Sequence, residues 1–349
     1  MSDSFLPVYE RNQYLKPQLN LAISTAKRMW LLNLCAFAVI FQSSLSDSFS
    51  SMFIALNAVA AALITEFICL HKNGRTAALK DGSAVASALI LSLLLPNTIS
   101  PVYAVIGSVF AIAIIKHSFG GLGSNCINPA AGAWLFIRFS WPYVFSAVQE
   151  VNEINTVNLN ENILQFLNNN IFSLFSSYLP ESYLSFFSSP HSGIIADRGI
   201  LALLLGTVLM LAFKASRIWI PALYLTVFCL LHRYAGALPL GADPWEGEIF
   251  VTLFSGGSFA AAFFLSTECG AAAKSSLGIF FLVVLGAFLA FIFRAYGGEF
   301  FGAIYGILFV NALTPLIRIL EDRLLYAKWE KMRNSLSLQK PGREEFSHD

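Results

Sequence analysis

The stretch Lys116–Trp134, KHSFGGLGSNCINPAAGAW, interrupts one of the most apolar parts of the chain with four glycines, two asparagines and a proline. A glycine inside a helix costs roughly 0.5–1 kcal/mol relative to alanine, and an interior proline costs more. Gly120, Gly121 and Gly123 permit positive φ and close backbone approach. Asn125 and Asn128 can satisfy freed backbone groups, and Pro129 suits the first turn of a new helix. The stretch therefore reads as a span that stops, turns and restarts. Inside a bilayer such irregular backbone survives only where protein or a polar cavity surrounds it. The restarted helix would offer its N-terminus to an anionic or carbonyl group. A tight turn between two full spans fits the same residues, and spacing does not separate the two readings. A phosphate-binding nucleotide loop does not fit: no strand precedes the glycines and no Gly-Lys-Ser/Thr follows.

The surrounding composition belongs to a membrane protein. Of 349 residues, 56% are hydrophobic and 12% charged, with a mean hydropathy of +0.65, against about 25% charged in an average soluble domain. Ten apolar segments are expected, at about 29–46, 52–70, 83–96, 101–116, 127–142, 199–213, 217–232, 249–267, 276–293 and 299–317, several shorter than the ~17–25 residues of a full span. No cleavable signal peptide is expected, because the residues before Met29 are polar. The five cysteines, Cys35, Cys69, Cys126, Cys229 and Cys269, lie singly in or beside apolar runs and read as small core residues. A net charge of +1 points to no nucleic-acid partner.

Assigning alternate connections to one side places there every Lys and Arg except Arg138, Arg198, Arg233 and Arg294. By the positive-inside rule that side is the cytoplasm, with both termini on it. The expected organisation is a cytoplasmic segment at 1–28, a first half of five spans at 29–142, an exported loop at 143–198, a second half of five spans at 199–317 and a cytoplasmic basic tail at 318–349. Two echoes relate the halves. GSAVASALIL (Gly82–Leu91) resembles GSFAAAFFLS (Gly257–Ser266), and KHSFGG (Lys116–Gly121) resembles RAYGG (Arg294–Gly298). After each second echo an Asn and a Pro follow, Asn128-Pro129 and, less closely, Asn311 to Pro315. Five spans per half would place the halves in opposite orientations, so the expected fold is all-α: a polytopic helix bundle of two inverted repeats with broken or half helices.

Within LKDGSAVASALILSLLLP (Leu79–Pro96), Asp81 or Ser83 sits near a helix start. The small residues after it form either a packing face or a wall toward a cofactor. Glu66 and Glu268 are candidates for an ion path, since intramembrane carboxylates are costly, or for side chains that reach the interface; Arg138 and Arg294 read the same way.

LKDGSAVASALILSLLLP, FGGLGSNCINPA, SGGSFAAAFFLSTE and YGGEFFGAIYGILFVNALTPLI, in that order, resemble the membrane signatures of the RnfD subunit of Rnf electron-transport complexes and the homologous NqrB subunit of the sodium-translocating NADH:quinone reductase. The similarity covers most of Met29–Ile317. It implies an integral inner-membrane protein, working beside other subunits. The complex would move electrons between reduced ferredoxin and NAD, coupled to Na⁺ or H⁺ translocation. The resemblance also implies flavin rather than metal as cofactor: FMN on a threonine of a Ser-Gly-Ala-Thr motif, and riboflavin held non-covalently. On that basis Asp81, Gly82, Ser83, Gly120, Gly121, Asn125, Asn128 and Pro129 are candidates to face a cofactor. The chain contains no Ser-Gly-Ala-Thr. The nearest counterpart is Glu153-Ile154-Asn155-Thr156, in which Thr156 keeps the acceptor hydroxyl but Ile and Asn replace Gly and Ala. Three functions are weighed: a flavin-bearing electron-transfer protein, a transporter without redox chemistry, and a scaffold or ion-path protein without covalent flavin.

Overall fold

A computed structural model describes residues 24–72, 76–146 apart from 122, 124 and 126, then 193–213, 217, 219–236, 239, 243–245, 249–266 and 275–338. The described residues form helices: α1 Thr25–Ser46, α2 Ser50–Lys72, α3 Ser83–Leu94, α4 Pro101–Val109, which runs on as a π-helical segment Phe110–His117, and α5 Pro129–Ser140. Then come a single turn α6 Ile195–Arg198, α7 Ile200–Ala212, α8 Trp219–Ala235, α9 Ile249–Phe254, α10 Ser258–Ala260 with its π-helical extension Ala261–Leu265, α11 Ser276–Ala295 and α12 Gly302–Leu338. Among the described residues four helices are long and apolar enough to cross a membrane: Thr25–Ser46, Ser50–His71, Ser276–Ala295 and Gly302–Glu330. Shorter apolar helices lie between them. The chain is an all-α, multi-pass membrane protein.

Side-chain size sorts in the sense a bilayer demands. Large apolar groups such as Phe37, Phe41, Phe53, Leu205, Val208 and Phe281 point outward, while Ala36, Ala58, Ala104, Ala131, Ala287 and Ala290 are buried. Lipid tails are as apolar as leucine, so helices associate through close packing at small residues. At the crossing of α1 and α7 the Cys35 side chain rests against Gly206, and its Sγ lies 3.4 Å from the Gly206 carbonyl oxygen. α11 and α12 approach more closely still. A Cβ on Gly306 would stand 2.7 Å from both the Gly286 oxygen and the Ala290 nitrogen, and Gly302, one turn earlier, faces the Ala290 carbonyl in the same way.

At 12 residues α3 is about 18 Å long and falls short of a ~30 Å hydrocarbon core. All of it but Val85 is buried, as is all of Ser258–Leu265. The ends of the two short helices approach each other in opposite order. Leu94, at the end of α3, is 3.9 Å from the position of a Cβ on Gly257, where α10 begins, and Phe264 at the far end of α10 shares a cavity with Ser83 at the start of α3. Beyond Leu94, Ile195 N–H donates to the Leu95 carbonyl at 3.0 Å, tying the first half to the entry of the second.

The last helix runs past the apolar segment expected at 299–317: α12 continues unbroken to Leu338. Pro315 lies inside that helix, where it removes one backbone donor without ending the element. For the same reason the Asn311-to-Pro315 echo of Asn128-Pro129 is loose, because Pro129 opens a helix and Pro315 does not.

Gly306→Ala should destabilise the detergent-solubilised protein by about 1–3 kcal/mol, the usual cost of forcing a methyl into a filled contact. Outward-facing Leu205→Ala should stay within about 0.5 kcal/mol. Thermal unfolding of the two variants compares them directly; equal losses would refute the close α11–α12 contact.

Candidate functional site

The start of α3 is built from three consecutive residues. Gly82 adopts the left-handed conformation, φ 74 and ψ 5, in a place where a side chain would press on Trp30 and Asn33. Asn33 Nδ2 donates to the Gly82 carbonyl at 3.0 Å. Asp81 Oδ1 accepts from Ser83 N–H at 2.8 Å and from Ser83 Oγ at 2.6 Å. The cap is thus the Asp81 carboxylate, one of the two alternatives read from the sequence, and it satisfies backbone that water does not reach.

Ser83 Oγ also accepts from Lys116 Nζ at 2.7 Å. Lys116 comes from the last turn of the π-helical segment and is 2% exposed, as is Glu66 on α2. Lys116 Nζ donates to Glu66 Oε1 at 2.8 Å, and His117 Nε2 lies 2.8 Å from Glu66 Oε2. Glu66 does not reach out to the interface; it lies buried between two basic side chains. Desolvating a lysine and a glutamate is tolerable only with such pairing, and removal of one partner leaves the other uncompensated.

The glycine stretch breaks the chain as its composition suggests. Gly120, Gly121 and Gly123 all have positive φ, and Gly121 N–H folds back to the Lys116 carbonyl at 2.9 Å. The chain re-enters the protein at Asn125 and Asn128, each 2% exposed. Asn128 Oδ1 accepts from Ala131 N–H at 3.0 Å and Pro129 opens α5, another helix of 12 residues. Buried asparagines and a helix about 18 Å long fit the restarted half-span better than a surface turn between full spans.

These elements line a cavity of about 30 Å³. Its polar wall includes Arg28, Ser83, Ser87, Lys116, Asn125 and Asn128, and its apolar wall includes Met29, Leu32, Pro129, Met210 and Phe264. Asn125 Oδ1 is buried with no hydrogen-bond partner. Of the residues singled out in the sequence, Ser83, Asn125, Asn128 and Pro129 meet here. Asp81 and Gly82 stand behind Ser83 as its support, and Gly120 and Gly121 shape the loop without lining the cavity. Thr156 and Glu268 lie outside the described residues. Lys116 is a charged wall residue that the sequence did not single out as a site candidate, although its place beside the Gly-Gly echo was the available signal.

The second half repeats the first arrangement with different chemistry. Gly257 is left-handed, φ 69 and ψ 16, and is followed by Ser258. Gly257 N–H donates to the two Asp197 carboxylate oxygens at 3.0 and 3.3 Å. Arg294 Nη1 donates to Ser258 Oγ and to the Ser255 carbonyl, both at 2.9 Å, while Nη2 donates to Ser255 Oγ at 2.5 Å. Each short helix therefore starts with a left-handed glycine and a serine. In each, a carboxylate accepts from the backbone, and a cation from the end of the following long helix donates to the serine hydroxyl. Arg138, the other arginine in question, pairs with Glu299 at 3.4 Å and lies over the Phe145 ring.

A family model described as the NQR2, RnfD, RnfE family matches residues 13–326. The D subunit of the Na(+)-translocating ferredoxin:NAD(+) oxidoreductase complex of Acetobacterium woodii is 32% identical over 270 residues, covering 76% of this chain and 80% of that protein. The D subunit of the proton-translocating ferredoxin:NAD(+) oxidoreductase complex of Clostridium ljungdahlii is 27% identical over 307 residues, covering 86% and 91%. The D subunit of the ion-translocating oxidoreductase complex of Methanosarcina acetivorans is 27% identical over 272 residues, covering 76% and 81%.

Glu66→Ala strands the Lys116 ammonium and should cost about 3–5 kcal/mol of stability. Adding Lys116→Met should restore part of that loss, so that the double variant is more stable than the sum of the singles implies. Unfolding midpoints of the four proteins in detergent give the coupling; strict additivity would show that the two side chains do not depend on each other.

Proposed function

The chain belongs to the NQR2, RnfD, RnfE family, and from that premise we propose that it is the integral flavin-type membrane subunit of an Rnf-like complex. The complex passes electrons between reduced ferredoxin and NAD and couples their flow to Na⁺ or H⁺ translocation. It acts as an oxidoreductase and translocase together with other membrane and peripheral subunits. The excess of Lys and Arg on one set of connections supports a bacterial cytoplasmic membrane location with both termini inside. In this topology, segments 1–28 and 318–349 lie on the cytoplasmic side, 29–142 and 199–317 are the two membrane halves, and 143–198 is exported.

The observation that carries the flavin reading is the unpartnered Asn125 Oδ1 in a cavity that also presents Lys116, Ser83 and Asn128. An isoalloxazine has one edge of alternating carbonyl acceptors and an N–H donor, and an apolar benzenoid end. Asn125 Oδ1 suits the donor, the Lys116 ammonium suits a carbonyl, and Met29, Met210 and Phe264 suit the apolar end. Bound there, a flavin supplies electron transfer in single steps. These residues would hold and orient its polar edge; the roughly 30 Å³ of space between them is smaller than the ring, so the cavity has to open to admit it. The proposed occupant is riboflavin, held without a covalent bond. For FMN attached through a phosphoester the candidate is Thr156, whose flanking Ile154 and Asn155 depart from the family motif; the alternative is a chain without covalent flavin.

The test is to denature the purified protein, separate it on a gel and read flavin fluorescence both in the band and in the released supernatant. Flavin in the supernatant, cut at least tenfold by Asn125→Leu, is the expected result for the cavity, and a flavin-free wild type would sink the reading. A fluorescent band that Thr156→Val abolishes would assign the covalent site; a dark wild-type band from a host that flavinylates another family member would remove FMN from Thr156.

A further inference from the structure

At about 30 Å³ the closed cavity is far too small for a ring, but one water molecule needs only roughly 10–15 Å³ of such space, so there is room for about two. Its wall decides between a dry void and a wet one. Cavities that stay empty are lined by apolar side chains alone, whereas this one presents polar groups that the protein leaves unsatisfied. Asn125 Oδ1 is buried with no hydrogen-bond partner. Lys116 donates to Glu66 Oε1 at 2.8 Å and to Ser83 Oγ at 2.7 Å. An ammonium carries three donors, so one N–H has no partner among the described residues. Ser87 gives its proton to the Ser83 carbonyl at 3.1 Å and still has oxygen lone pairs to offer. A molecule that both donates and accepts suits this set. A bare cation would meet the charges of Lys116 and Arg28, and an anion would meet the Asn125 and Ser87 oxygens. Of the lining residues only Arg28 is not buried. The opening therefore lies at the start of α1, on the side that the charge distribution assigns to the cytoplasm.

We propose that the closed cavity is a hydration site, in which a short water bridge filled from the Arg28 side joins the third N–H of Lys116 to Asn125 Oδ1. The inference goes beyond the flavin reading and does not rest on it; a larger ligand would displace this water as the cavity opens. A buried ammonium and a buried amide oxygen are each costly without a partner, and the bridge supplies one to both. Glu66 and Ser83 fix Lys116 from α2 and α3, so its remaining N–H is held toward the water with little rotamer freedom left to lose. The bridge also ties the end of the π-helical segment, at Lys116, to the re-entry of the chain at Asn125. The glycine loop between them, with Gly120, Gly121 and Gly123 at positive φ, then carries less of the work of fixing the restarted helix.

Two buried side chains on the wall, Met210 at 1% and Phe264 at 2% exposure, report on its contents. X-ray radiolysis splits water into hydroxyl radicals that react close to where they form, so a buried side chain is oxidised only where water lies beside it. The sample is the full-length purified protein in detergent, stripped of non-covalent flavin, with each oxidation rate divided by that of the same residue in the unfolded chain. Tyr224 is the dry reference, 1% exposed and bonded through its hydroxyl to the Ala303 carbonyl at 3.4 Å. Met210 should be converted to its sulfoxide about tenfold faster than Tyr224 is oxidised. Asn125→Leu, which removes the acceptor and fills the space, should slow Met210 by about fivefold, and Asn125→Ser, which keeps a hydroxyl and the room, should stay within about twofold of wild type. Wild-type Met210 as unreactive as Tyr224 would show a dry cavity and overturn the inference without any variant. A rate at Met210 that Asn125→Leu leaves unchanged would overturn it as well, because the water would not be held by Asn125. Neither result bears on whether an opened cavity binds flavin, which the released-flavin measurement reads separately.

Discussion

A helix that begins inside a membrane protein has N–H groups that no water can reach, and this constraint organises the rest of the structure. α3 and α10 both start in buried surroundings. Each start uses a left-handed glycine so that a carboxylate can close on the backbone, Asp81 on Ser83 N–H and Asp197 on Gly257 N–H. Both carboxylates are half-buried, and each half brings a cation to the neighbouring serine hydroxyl, Lys116 in the first and Arg294 in the second. The glycine-rich connection and the placement of the basic residue at the end of a long helix follow from the need to deliver that cation.

The two solutions differ in what surrounds them. In the first half the capping carboxylate is local, two residues from the serine it serves, and Lys116 needs a further anion, Glu66. A cavity with an unpartnered amide oxygen opens beside it. In the second half the carboxylate arrives from α6, 60 residues earlier, and the forked guanidinium of Arg294 engages two serines at once. That start is closed by protein groups, and it pins the entry of α7 to the start of α10. One chemical device thus serves as the wall of a site in one half and as a clamp in the other.

Much of this was legible in the residues. Composition placed the chain in a membrane, the punctuation between Lys116 and Trp134 marked a break without deciding between a restarted helix and a tight turn, and the echoes Gly82–Leu91 with Gly257–Ser266 and Lys116 with Arg294 marked structurally equivalent places. The end of α12 was not legible, because a proline inside a well-packed membrane helix does not reveal whether the helix goes on. Nor was the Gly302–Gly306 contact with α11, since glycine spacing alone does not name the partner helix.

By itself the sequence determined the class of the fold, the ends of most spans and the residues able to break a helix, because these depend on local properties: apolar run length, backbone freedom at glycine and the missing N–H of proline. Only the tertiary structure decided that Glu66 lies buried against Lys116 and His117, that Lys116 reaches Ser83 and that Asn125 faces a cavity with its oxygen unpaired. Those partners are 33 to 51 residues apart in the chain. Whether a buried charge is costly or compensated is set by the groups within a few ångströms of it, and linear order does not record that distance.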